Sequence, residues 1–86
     1  MKTVIKMGAS WCRPCLQLKP IFYEAIQEID DIKVVEVDVD TCPDIASSYK
    51  VRGIPTVIVT DDDDNILAMK SGMMTKEQLK DLILRC

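Results

Sequence analysis

Histidine is absent from this 86-residue chain. That removes the usual general base at neutral pH, the commonest metal ligand and any ordinary pH switch. Chemistry must therefore rest on thiols, carboxylates and lysines. Basic clusters are also missing and the formal net charge is -3, so the chain lacks the electrostatic footprint of a nucleic-acid binder and has little attraction for an anionic membrane. No run approaches the roughly 18 apolar residues of a membrane span. The first stretch, "MKTVIKM", is broken at Lys6, too early for the apolar region of a secretion signal. The four cysteines (Cys12, Cys15, Cys42 and Cys86) fall below the density of about 8–10% that marks a disulfide scaffold. A cytoplasmic protein is expected, and in that reducing compartment closely spaced cysteines serve catalysis or metal binding more often than stapling.

What is present suffices for a modest core, since 48% of the residues are hydrophobic. At this length a single domain, 1–86, is expected, without internal repeats or linkers. "TVIKM" (Thr3 to Met7) reads as a first strand ended by Gly8. Leu16, Phe22, Ala25, Ile26 and Ile29 recur at near-helical spacing and predict a helix from Cys12 to about Ile29, kinked but not ended by Pro20. "KVVEVDV" (Lys33 to Val39) alternates Val35, Val37 and Val39 with Glu36 and Asp38, as a second strand does. Thr41 or Cys42 then caps a short helix that opens with Pro43. "PTVIVT" (Pro55 to Thr60) lacks alternation, which predicts a strand covered on both faces. Asp61 to Asp64 lack the alternation and glycine of a calcium loop, so they form a solvated hairpin tip before a return strand, Ile66 to Lys70. Thr75 and Gln78 match a capping box, and Leu79, Leu82, Ile83 and Cys86 share one face of the last helix. The order βαβαββα implies an α/β fold with parallel first strands, an antiparallel hairpin, and a mixed four-stranded sheet with helices on both faces.

The chemistry concentrates in "SWCRPC", Ser10 to Cys15. Two thiols at this spacing can hold a metal, staple a fold or exchange electrons. Cys12 falls at the N-terminal end of the first helix, where unpaired N–H groups and the helix dipole stabilise a thiolate. Lowering a thiol pKa from about 8.5 to about 7 raises the thiolate fraction at pH 7 from a few per cent to roughly half. Cys15 lies one turn on, within disulfide reach. Pro14 stiffens the loop between them without costing a helical hydrogen bond.

Here the chain closely resembles the thioredoxin family. The resemblance is carried by "WCRPC", Pro20 five residues past the second cysteine, "VDVDTCP", "YKVRGIPT" and "SGMMTKEQLKDLI". It implies a thioredoxin fold lacking the extra N-terminal strand and helix of full-length thioredoxins. It implies that Cys12 is the nucleophile and Cys15 the resolving thiol. Pro55 matches the cis-proline that faces the disulfide and frees the backbone at Ile54 to pair with an extended substrate. Gly72 matches the rim of the substrate groove, which Met73 extends, and Trp11 matches the flanking tryptophan that hydrogen-bonds to the acid corresponding to Asp40.

Four positions depart from the family pattern. Lys6 stands where a buried aspartate is common and Glu36 where its lysine partner is common. Either the two form an exchanged buried pair, in which Glu36 or a proton-depleted Lys6 assists proton transfer at Cys15, or both reach solvent. Arg13 replaces the usual glycine between the thiols and adds a positive charge beside the site. Gly8 replaces a second tryptophan, leaving the site less aromatic. Cys42 is expected to be an idle helix-cap cysteine, with an accessory redox thiol as the alternative, and Cys86 to pack.

The implied function is a thiol-disulfide oxidoreductase that reduces protein disulfides and carries electrons in cell redox homeostasis. The resemblance implies disulfide-containing target proteins and a thioredoxin reductase or glutathione system as donor. A monomer is expected, with no bound cofactor, metal, nucleic acid or membrane. Two alternatives come from other classes: a zinc module built from the four cysteines, which lacks a second closely spaced ligand pair, and a non-catalytic partner subunit on the same scaffold.

Overall fold

The computed structural model describes residues 1–85. The elements run β1 (Lys2–Gly8), α1 (Arg13–Gln27), β2 (Ile32–Asp38), α2 (Pro43–Ser48), β3 (Thr56–Thr60), β4 (Ile66–Ser71) and α3 (Lys76–Leu84). The four strands form one mixed sheet in the order β2-β1-β3-β4. β1 and β2 are parallel, as their helical crossover demands. β3 and β4 form the antiparallel hairpin, and β3 also lies antiparallel to β1. That second pairing puts β1 and β3 in the centre, and every residue of β3 is buried.

The period-two alternation of β1 divides the core between the two sheet faces. Val4 joins Val57 and Val59 beneath α1 and α3, where Leu18, Phe22, Ala25, Leu79 and Ile83 close the larger cluster. Ile5 and Met7 face the other way with Val37 and Ile58, and there Cys42, Ala46 and Tyr49 of the α2 region cover them. Helices therefore lie on both faces. Phe22 is fully buried at the centre of the larger cluster, a position where truncation to alanine costs about 3–5 kcal/mol.

Several boundaries differ from the sequence expectation, each for a local reason. α1 begins at Arg13, with Cys12 outside it as the N-cap. It runs through Pro20 without interruption and stops at Gln27. Ile29, the last periodic residue, is buried but lies beyond the helix. Cys42 occupies the N-cap position of α2, yet its side chain makes no capping bond. The Thr41 hydroxyl donates to the Asp38 carbonyl at 3.3 Å instead. β3 begins one residue late, at Thr56, since Pro55 has no N–H for the ladder. The α3 capping box forms in both directions, Thr75 accepting from the Gln78 N–H and the Gln78 side chain accepting from the Thr75 N–H. At the hairpin tip Asp61 accepts from the N–H groups of Asp63 and Asn65, both at 2.9 Å, so the acidic run is an organised turn. The expected packing of Cys86 lies outside the described residues.

Candidate functional site

The strand-to-helix turn after β1 builds the site. The Cys12 N–H donates to the Ala9 carbonyl at 3.2 Å and the Leu16 N–H donates to the Cys12 carbonyl at 3.1 Å, so the chain turns tightly into α1. Cys12, in extended conformation as N-cap, aims its sulfur back over the first turn, where Sγ accepts the Cys15 N–H at 3.3 Å. The Cys12 and Cys15 sulfurs are joined in a disulfide, with the Cα atoms 5.2 Å apart. A zinc site would hold both sulfurs apart on the metal. Both cysteines are buried in a small cluster with Ala9, against Val39 and Ile54.

The Ile54–Pro55 bond is cis. The Ile54 carbonyl lies 4.0 Å from the Cys12 sulfur, which brings the loop before β3 directly over the disulfide. Gly72 sits beside Pro55, its N–H donating to the Pro55 carbonyl at 2.9 Å. Its φ of 93° is the left-handed conformation that glycine adopts without strain. The Met73 side chain next to it is exposed. On the opposite side Trp11 is 68% exposed and anchored at one point, Nε1 donating to Asp40 Oδ2 at 2.6 Å. Beside Trp11 runs a mostly apolar groove of about 220 Å³, lined by Val39, Ala46 and the stretch from Val51 to Ile54. Arg13 is exposed at the mouth of the helix.

Lys6 and Glu36 are brought side by side but do not form a buried pair. They are register partners across the β1–β2 ladder. Lys6 is only 7% exposed and shares the α1-facing side with Val4, its ammonium 6.0 Å from the Phe22 ring centroid. Glu36 is exposed, and its Oε1 accepts the Tyr23 hydroxyl at 2.6 Å. Both sequence expectations are thus corrected by half: one charge is buried and the other reaches solvent. Desolvation pushes the Lys6 pKa below the ordinary lysine value, Glu36 raises it partway back, and Lys19 lowers it again. The bond to Glu36, followed by burial, raises the Tyr23 pKa.

Two groups of residues around the site carried no assignment from the sequence. Val51 to Gly53 line the groove, although they belong to the same block as Pro55. Lys19 lies four residues past Cys15 on α1 and joins Lys6 and Glu36 around a second cleft on the Cys15 side. The i,i+4 spacing from Cys15 was the available signal. Cys42 is a partly buried free thiol, and among the described residues no group of three or more cysteine, histidine or acidic side chains could hold a metal ion. No helix among the described residues is long and apolar enough to cross a membrane.

A disulfide-forming pair of cysteines at a helix N-terminus, set under a cis-proline loop at one edge of a βαβ unit, defines a thiol-disulfide oxidoreductase of thioredoxin-like fold. The comparisons place it more closely. The family model described as Thioredoxin matches residues 1–85. The chain is 42% identical over 82 residues to a thioredoxin of Mycoplasmoides gallisepticum, covering 95% of this chain and 81% of that one. It is 37% identical over 76 residues to the thioredoxin of Bacillus subtilis, covering 87% and 72%. Among solved structures, oxidised mitochondrial thioredoxin 3 of Saccharomyces cerevisiae superposes with a TM-score of 0.89 at 32% identity, covering 99% of this chain and 78% of that one. The chain belongs to the thioredoxin family, and it is a protein-disulfide oxidoreductase.

Proposed function

We propose that Cys12 is the attacking thiol and Cys15 the resolving thiol in the reduction of disulfides in cytoplasmic proteins. In the reduced state the Cys12 thiolate attacks one sulfur of a target disulfide, and the other target sulfur leaves as a thiolate and takes a proton. Cys15 then gives up its proton and attacks the Cys12 sulfur. That breaks the mixed disulfide, releases the second target thiol and leaves Cys12–Cys15 oxidised. The observation that carries this reading is the position of Cys12 Sγ, which accepts the Cys15 N–H at the N-terminus of α1. That N–H and the helix dipole stabilise the anion on Cys12.

The groove supplies the substrate contacts in this reading. An extended target segment lies along Ile54, anchored between Trp11 on one side and Gly72 and Met73 on the other. Pro14 stiffens the loop that carries the thiols. Arg13 and Lys6 tune the thiolate, and Asp40 holds Trp11 in place. Glu36 acts on Lys6 through space. The protein works as a monomeric electron carrier, re-reduced by a thioredoxin reductase or by a glutathione system, without a bound cofactor. Its donor is identified by coupled turnover with NADPH and either thioredoxin reductase or glutathione with glutathione reductase, with insulin as the disulfide substrate. Failure to reduce insulin even with dithiothreitol as donor would overturn the reading.

A further inference from the structure

The two acidic turns of the chain lie at the end of the sheet away from the disulfide. β1 starts beside Asp30 and Asp31 of the α1–β2 turn, which line one cleft with Met1 and Lys2. It also starts beside the β3–β4 turn, whose Asp61, Asp62 and Asp64 line another with Met1 and Thr3. The disulfide follows the other end of β1, past Gly8. The 7 residues of the strand put about 20 Å between the two ends. That is more than twice the screening length of about 8 Å at physiological salt, so the acidic turns contribute little at the disulfide. The disulfide end carries a different charge pattern. Arg13 stands exposed between the two cysteines. Arg52 is exposed on the lining of the groove, two residues before Ile54, whose carbonyl lies 4.0 Å from the Cys12 sulfur. Among the described residues every ion pair lies elsewhere, so neither guanidinium is committed to one. The carboxylates on this side are partly engaged, Asp40 accepting from Trp11 Nε1 at 2.6 Å and Asp38 from the Asp40 N–H at 2.8 Å. Asp44 lies in the first turn of α2.

We infer that Arg13 and Arg52 give the dithiol a preference for target disulfides flanked by acidic residues. This rests on the dithiol reading above and names a substrate class within it. A segment laid along Ile54 carries the residues on either side of its attacked cysteine past Arg52 and past the head of α1, where Arg13 stands. A carboxylate there gains a charge-assisted contact with a planar fork of donors whose charge does not titrate. A lysine at the same place is repelled by both guanidiniums. The guanidiniums also offset the repulsion between the Cys12 thiolate and the target's carboxylates, which otherwise slows exchange with an acidic substrate. The exchange itself is unchanged. The Cys12 thiolate bonds to one target sulfur, and the other leaves with the electron pair and takes a proton. Cys15 then gives up its proton, closes the protein disulfide and releases the second target sulfur as a thiolate. Both cations are exposed, so the preference is electrostatic and sensitive to salt.

The test mixes the pre-reduced full-length chain with peptide disulfides that are identical except for the residues beside the bridged cysteine, which are glutamate, glutamine or lysine. Each second-order rate constant is divided by that of 2-mercaptoethanol on the same peptide, which removes the peptide's own reactivity. At low salt the glutamate peptide should then react about three- to tenfold faster than the glutamine peptide, the range expected for two exposed charge pairs, and the lysine peptide should react more slowly. The preference should shrink toward unity in about 0.5 M sodium chloride, an arm that needs no variant. Arg52→Gln and Arg13→Gln should each reduce it, and the double variant should abolish it. Every ratio is taken within one protein, so a change in intrinsic thiol reactivity cancels. A glutamate peptide no faster than the glutamine peptide, or a preference that survives salt or both substitutions, overturns the inference. If the glutamine peptide is reduced while the preference is absent, only the charge reading is wrong. If no peptide is reduced, the dithiol reading falls with it.

Discussion

Lys6 and Glu36 lie directly opposite each other in the parallel β1–β2 ladder, yet their side chains part company: the ammonium turns under α1, and the carboxylate turns outward to the Tyr23 hydroxyl. β2 is an edge strand and β1 a central one, so the same sheet face is covered by α1 at one residue and open at its neighbour. The pair therefore interacts through space and not as a buried ion pair. A double-mutant cycle of Lys6→Met and Glu36→Gln on urea-unfolding stability should give a coupling below about 1 kcal/mol. A coupling of several kcal/mol would show that the two charges meet.

The stability of the chain should also carry the signature of Lys6. Desolvation holds its folded-state pKa below that of a free lysine, about 10.4. Across the window between those two values the unfolded chain binds more protons than the folded one, so stability rises as pH rises through it. Lys6→Met should lose this rise and should be more stable at pH 7 by on the order of 1 kcal/mol. Unfolding midpoints measured from neutral pH to about 10.5 check both parts. A Lys6→Met protein less stable at pH 7 would mean that the ammonium has a partner.

The division of labour between the thiols is open to trapping with a protein substrate. Cys15→Ser should accumulate a mixed disulfide with the target through Cys12, stable to gel electrophoresis without reductant. Cys12→Ser should not. Accumulation in Cys12→Ser alone would reverse the roles.

Arg13 should raise the redox potential, since its charge favours the thiolate of the reduced form over the neutral disulfide. About 30 mV corresponds to roughly 1.4 kcal/mol for two electrons, and an exposed charge contributes about 0–1 kcal/mol. Arg13→Gly should therefore be more reducing by on the order of 10–30 mV when equilibrated against a glutathione or dithiothreitol buffer. An unchanged or higher potential counts against the assignment.

Gly72 separates a backbone demand from a steric one. An added Cβ would meet nothing within 4 Å, but the φ of 93° is strained for any other residue. Gly72→Ala should cost about 1–2 kcal/mol of stability, read from the urea midpoint. A cost near zero would mean that the backbone relaxes and that the 2.9 Å bond to the Pro55 carbonyl is dispensable.

The sequence by itself determined what is local. The element order follows from periodicity, the α3 start from Thr75 and Gln78, and the thiolate-favouring end of α1 from Cys12 preceding Arg13 and Pro14, because caps, turns and amphipathic spacing act over a few residues. The thioredoxin resemblance was legible for the same reason, as blocks in a fixed order. The tertiary structure decided what depends on residues far apart. β3 joins β1 and not β4 alone, which makes β1 central and β2 an edge, and that alone buries Lys6 while leaving Glu36 in solvent. The Cys15 cleft likewise needs Gly8, Lys6 and Lys19 to converge from a strand and a helix. Local patterning sets which face a side chain takes, but only the packed neighbours set whether that face is covered.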